Sequence, residues 1–161
     1  MKGGTYSALA GRIQQLLVDI ERVVQRIELL HHKAISTGDS GYSDGVALNL
    51  HSFYSGIEAG FEDIGRTIDL ALPEGPNWHQ ELLQQMAAEL TDLRPAVLRY
   101  ETRLCLDEYR AFRHLVRNDY TFSLKPSRLE GLAKEVQQCF GLISTDFSEF
   151  ILFLQKIDQD L

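Results

Sequence analysis

Apolar residues recur along this chain in steps of three and four, and almost nowhere in steps of two. Leu9, Ile13, Leu16, Leu17, Ile20, Val23, Val24, Ile27 and Leu30 form the first such stripe, the spacing of one face of an α-helix. It fades into STGDSGYSDG, a stretch with three glycines that reads as a turn-rich loop, with Ser43 or Asp44 as N-cap of the next helix. Val46, Leu50, Phe53, Ile57, Phe61, Ile64 and Ile68 make the second stripe, which stops at LPEGPN. NWHQELLQQMAAEL predicts a shorter helix, opened by a capping arrangement of Asn77 with Gln80. Pro95 breaks the pattern near TDLRP, and a fourth helix is expected over 96–119. TFSLKP reads as a loop, with Pro126 suited to the first turn of a last helix. That helix carries Leu129, Leu132, Val136, Phe140, Ile143, Phe147, Phe150, Leu154 and Ile157. With no alternating β-pattern, internal repeat or low-complexity segment, the expected fold is all-α: one domain over 1–161, an antiparallel bundle of four to five helices.

Composition agrees. The 161 residues are 44% hydrophobic and 24% charged, the balance of a globular chain with a core of its own. No apolar run reaches the roughly 18 residues of a membrane span. The first residues, MKGGTYSALAGRIQQ, lack the apolar block of an export signal, so a cytoplasmic location without membrane attachment is expected. Cys105 and Cys139 both fall in apolar helical contexts and read as buried, reduced thiols.

Charge adds a more specific clue. The formal net charge is −7, yet between positions 94 and 117 six arginines (94, 99, 103, 110, 113, 117) face only Glu101, Asp107 and Glu108. Each helical residue turns about 100°, which places Arg103, Arg113, His114, Arg117 and Asn118 within an arc of roughly 140° around Arg110. Leu104, Phe112 and Leu115 fall on the other side, with Cys105 and Val116 at the flank. Such a row is either a solvated face or an anion site. The second reading draws on two features. Only Asp107 shares the arc, and arginine, whose fork suits bidentate phosphate binding, is used throughout. A basic strip on an acidic body can hold an anion through its near field.

Other groups carry less. His31 and His32 close the first helix, where a cation is favourable without any further role. His51, His79 and His114 lie on separate elements without metal-type spacing. Asp39 and Asp44 bracket a glycine-rich loop without a calcium-loop pattern. No glycine-rich phosphate loop or serine-nucleophile motif is present. Neither a metal nor a cofactor is expected.

Arg113, four intervening residues, Asn118, and then Tyr120 resemble the Arg-x4-His-x-Tyr motif of HepT-type toxins, within the broader HEPN ribonuclease group. LHSFYSGIEAGFEDIGRTID followed by LPEGPNWHQELLQQM, and YRAFRHLVRNDYTFSL, are similar to longer segments of a HepT-like branch. The resemblance spans roughly residues 5 to 158. It implies a helical bundle that dimerises with the motif helices of two subunits facing each other. It also implies a metal-independent endoribonuclease toxin in which the ribose 2′-OH attacks the adjacent phosphorus, neutralised by an MNT-type nucleotidyltransferase antitoxin. On this resemblance Arg113 clamps the phosphate, Arg110 and Arg117 extend the clamp, and Tyr120 is the position that the antitoxin modifies with AMP. Asn118 occupies the place of the motif histidine, and an amide does not titrate near neutral pH. Proton transfer then falls to His114, one turn back, or is lost. In the latter case the chain is a catalytically degenerate HEPN module that binds RNA or a nucleotidyltransferase without cleaving.

Overall fold

A computed structural model describes residues 4–119 and 125–160; the side chains of 116–119 lie outside that description. Five α-helices follow in order: α1 Thr5–Thr37, α2 Ser40–Ile64, α3 Trp78–Ala87, α4 Tyr100–Asp119 and α5 Pro126–Asp160. Among the described residues there is no strand, only an isolated bridge between Leu90 and Arg94. The all-α bundle expected from the spacing is the observed fold. α1, α2 and α5 form its long body, and α4 packs chiefly on α2, with α3 across them at one side.

The stripes read from the sequence are the core. Leu9, Ile13, Ile20, Val24 and Ile27 of α1 are buried, as are Val46, Leu50, Phe53, Ile57, Phe61 and Ile64 of α2. α5 adds Leu132, Val136, Phe140, Ile143, Phe147, Phe150 and Leu154. Each side chain of this size contributes about 1.5–3 kcal/mol when fully removed from water. Gly60 lets α1 and α2 approach closely, since a Cβ there would stand 2.5 Å from Leu16 Cδ2.

The connections depart from expectation in four places. The loop expected over STGDSGYSDG is mostly helix. α1 continues to Thr37, where Gly38 takes a left-handed φ of 70° and donates its N–H to Ala34 O, the usual glycine stop. Asp39, not Ser43 or Asp44, is the N-cap of α2, accepting from Gly41 N at 2.8 Å. Two residues therefore make the whole α1–α2 turn. Asn77 precedes α3 as expected, but its side chain makes no capping bond.

α4 begins at Tyr100 rather than near 96, and the reason is a buried arginine. Asp69 ends a π-helical turn, Gly65–Asp69, that continues α2. It meets Arg94 through Nε–Oδ1 at 2.6 Å and Nη2–Oδ2 at 2.8 Å. Arg94 also donates to Gln85 O, Ala88 O and Pro95 O. It holds the non-helical segment between α3 and α4 while Val97 N and Leu98 N donate to Met86 O.

The expected orientation of α4 also needs correction. Its buried residues are Thr102, Leu106, Tyr109 and Phe112, while Leu104 is 51% exposed. Leu106 falls within the very arc assigned to the cations, about 40° from Arg110. Arg113 therefore sits at the edge of the core face, about 40° from Tyr109, instead of opposite it. The apolar residues of α4 are too few and scattered for a unique stripe.

Candidate functional site

Glu58 lies one turn after the buried Tyr54 on α2 and is itself only 3% exposed. A carboxylate in such a position needs a partner, and two cationic or polar groups reach it from other helices. His79 Nδ1, from the first turn of α3, stands 2.7 Å from Glu58 Oε2. Arg113 Nη1, from α4, stands 3.3 Å from Glu58 Oε1. Arg113 further donates from Nε to Ser55 Oγ at 2.8 Å, and its Nη1 approaches His79 Nδ1 to 3.2 Å. Three helices thus converge on one guanidinium.

Nδ1 faces two groups, Glu58 Oε2 at 2.7 Å and Arg113 Nη1 at 3.2 Å, and the nearer carboxylate favours a proton on Nδ1. An unprotonated Nδ1 would turn its lone pair on a carboxylate oxygen, which is repulsive, so Nδ1 carries the hydrogen and donates to Glu58. In the neutral ring Nε2 is then the acceptor. The indole of Trp78 lies against the ring, with centroids 3.7 Å apart.

His79 and Arg113 line a pocket of about 160 Å³ together with Pro76, Asn77, Gln80, Arg110 and His114. Its walls carry guanidinium, imidazole and amide groups, the donors that suit a phosphate or another oxyanion. Arg110 is tied back to Asp107 at 2.7 Å, three residues earlier on α4. Burial, and next the Glu58 charge, hold the neighbouring Tyr54 hydroxyl well above the ordinary phenol range. A larger cavity of about 380 Å³ between the end of α1 and the starts of α2 and α5 has a different character. Glu130 and Asp44 line it, with no arginine or lysine among its lining residues, so it does not suit an anion. Among the described residues no group of three or more His, Cys, Asp or Glu side chains is placed to hold a metal ion. Nor is any described helix long and apolar enough to cross a membrane.

Of the residues singled out in the sequence, Arg110, Arg113 and His114 come together at this pocket. Arg113 is less exposed than a solvated-face reading requires, at 15% of its side chain. Arg117 and Asn118 belong to α4, but their side chains, and Tyr120 entirely, lie outside the described residues. The row of six arginines does not form one strip. Arg94 is buried on Asp69, and Arg99 pairs with the buried Asp146 on α5, Nε to Oδ1 at 2.6 Å. Asp107 neutralises one cation of the site, whereas Glu108 lines a different cavity with Arg128 and Glu135.

The sequence reading missed Glu58 and set His79 aside. The signal was present for Glu58: a charged residue on the core-facing side of α2, between Tyr54 and Phe61. For His79 there was none, because only the fold brings α3 against α2 and α4.

The family model described as HepT-like protein matches residues 45–154. The chain belongs to the HepT-like family. The match begins near the start of α2 and ends within α5, so it takes in Ser55, Glu58, His79, Arg110, Arg113 and His114 and omits α1. Among curated proteins and among solved structures no match was found.

Proposed function

We propose that this HepT-like protein is the toxin of a toxin–antitoxin pair, a metal-independent endoribonuclease that works as a homodimer. The observation that carries the reading is Arg113, held rigidly by Ser55 and Glu58 at the wall of a pocket that also presents Arg110, His79 and His114. A guanidinium fixed by its own neighbours is preorganised for the charge that builds on phosphorus during attack by the 2′-OH. The dimer is supported by the outer side of α4, where Tyr100 and Leu104 are 69% and 51% exposed beside Arg103. A two-fold axis there would set two such helices face to face and give each site a second wall. An MNT-type nucleotidyltransferase is the proposed antitoxin and Tyr120 the position it modifies. An adenylate phosphate added near Arg113 would compete with RNA phosphate for the same cations.

The test is incubation of an RNA oligonucleotide with the purified protein in EDTA. The expected products carry a 2′,3′-cyclic phosphate and a 5′-hydroxyl, and Arg113→Ala abolishes them. Intact RNA at protein excess, with the dimer verified by light scattering, sinks the nuclease reading. A second reading, a degenerate module that binds RNA or a nucleotidyltransferase without cutting, is favoured by one observation: Asn118 stands at the motif position of the proton-transferring histidine. Persisting RNA binding without cleavage would select it.

A further inference from the structure

Asn118 leaves the motif position without a titratable group, and His114 is the neighbour that the sequence offers in its place. The geometry points to a different residue: His79 is the general base of this site, and Glu58 is the residue that positions it. This inference rests on the nuclease reading above and supplies the proton acceptor that reading lacks.

Three observations carry it. His79 comes from α3, outside the motif helix, yet its ring lies beside Arg113, the residue that would hold the phosphate, with Nδ1 and Nη1 3.2 Å apart. Its Nδ1 is bound by a carboxylate 3% exposed to solvent, at 2.7 Å. That bond fixes the tautomer and the ring plane and stabilises the imidazolium that forms when Nε2 takes a proton, the role an orienting carboxylate plays wherever histidine acts as a base. The ring also lines the pocket, and with Nδ1 taken by Glu58, Nε2 is the nitrogen left to meet a bound ribose. His114 is exposed on α4 and lines the same pocket, where its place on the rim suits substrate contact.

In the proposed step His79 Nε2 accepts the proton of the 2′-OH. The 2′ oxygen forms its bond to phosphorus, and the bond from phosphorus to the 5′ oxygen breaks. Water protonates the departing 5′ oxygen, and the imidazolium returns its proton to water. The products are a cyclic phosphate and a 5′-hydroxyl, with no net consumption of water. Arg113 and Arg110 face the phosphate. Among the described residues, Glu58 from α2, and Arg113, Arg110 and His114 from α4, are the charged or titratable groups that share the imidazole's surroundings.

The experiment compares cleavage of one RNA oligonucleotide by the full chain, His79→Ala, His79→Gln, Glu58→Gln and His114→Ala, with His32→Ala as a surface control. Affinity for the 2′-deoxy oligonucleotide is measured alongside by fluorescence anisotropy, and folding by far-ultraviolet circular dichroism. His79→Ala is expected to lose 10²- to 10⁴-fold in rate, the contribution of a general base, with affinity for the 2′-deoxy strand unchanged. Added imidazole should restore part of that rate in His79→Ala and none in Glu58→Gln, a rescue that a merely structural role would not produce. The rising limb of the pH–rate profile should be present in the native chain and absent from folded His79→Gln. Cleavage by His79→Ala within tenfold of native, or a loss confined to His114→Ala, overturns this assignment and leaves the nuclease reading standing. No cleavage by the native chain overturns both.

Discussion

Removing Asp69 is the sharpest test of how the α3–α4 connection is held. Arg94 and Asp69 are both buried, with side chains 0% and 1% exposed, and meet in a bidentate pair at 2.6 and 2.8 Å. Three backbone oxygens, Gln85 O, Ala88 O and Pro95 O, take the remaining guanidinium bonds. Asp69→Ala leaves the carbonyls in place and strands the positive charge. Breaking a buried pair from one side costs about 3–5 kcal/mol. For a domain of this size each kcal/mol corresponds to about 2–4 °C, so the expected fall in Tm is about 6–20 °C. The assay is urea unfolding followed by circular dichroism and by Trp78 fluorescence, since Trp78 opens α3. A double variant, Asp69→Leu with Arg94→Met, removes both charges but takes the donor from Gln85 O, Ala88 O and Pro95 O, so it should recover only part of the loss. A change below about 1 kcal/mol in Asp69→Ala, with an unaltered m-value, would refute the claim that this pair sets the connection.

Three further outcomes follow from groups outside the pocket. The Tyr54 hydroxyl is buried without a hydrogen-bond partner among the described residues, so Tyr54→Phe should be neutral or stabilising by up to about 1 kcal/mol. A measured loss above that in urea unfolding would mean the hydroxyl is bonded. The Cys139 thiol hydrogen-bonds Cys105 and holds the Cys105 pKa below the ordinary thiol value, while that contact and burial push Cys139 up. Iodoacetamide at neutral pH should therefore label Cys105 first, read by peptide mass spectrometry, and equal labelling of both would contradict the pairing. Asp158 accepts from Ser7 Oγ and Gly4 N, which tie the start of α1 to the end of α5 and hold its carboxyl below the usual range. A depressed carboxyl stabilises above its unfolded value, about 3.9, and the contribution vanishes as pH falls through the folded one. The Tm difference between native protein and Asp158→Asn should thus shrink on acidification below about pH 4, and a difference constant with pH would exclude this tie.

What the sequence disclosed and withheld has a physical pattern. Stripes such as Val46 to Ile68 were legible because every position of that spacing is buried on one continuous face. α4 was not, because its inward face is made of Thr102, Leu106, Tyr109 and Phe112. A hydroxyl and a tyrosine hold two of those four places, and leucines at 104 and 115 compete for the same reading. The error matters for function. Turning α4 by the observed amount moves Arg113 from an open cationic face to the core edge, where Glu58 and Ser55 can hold it. The two connections divide in the same way. Asp39 and Gly38 close the α1–α2 turn in two residues, a local matter that cap chemistry could have revealed. The α3–α4 segment instead depends on Asp69 and Arg94, which are 25 positions apart. The site combines both cases. Arg110, Arg113 and His114 share one helix and were found by turning it. Glu58 and His79 stand 21 positions apart on different helices, and only the docking of α3 makes them a pair. A motif confined to α4 therefore leaves out Glu58 and His79, two of the groups that meet Arg113. Under the nuclease reading, which puts Asn118 at the place of the motif histidine, the histidine to test is the one on the helix packed against α4, His79.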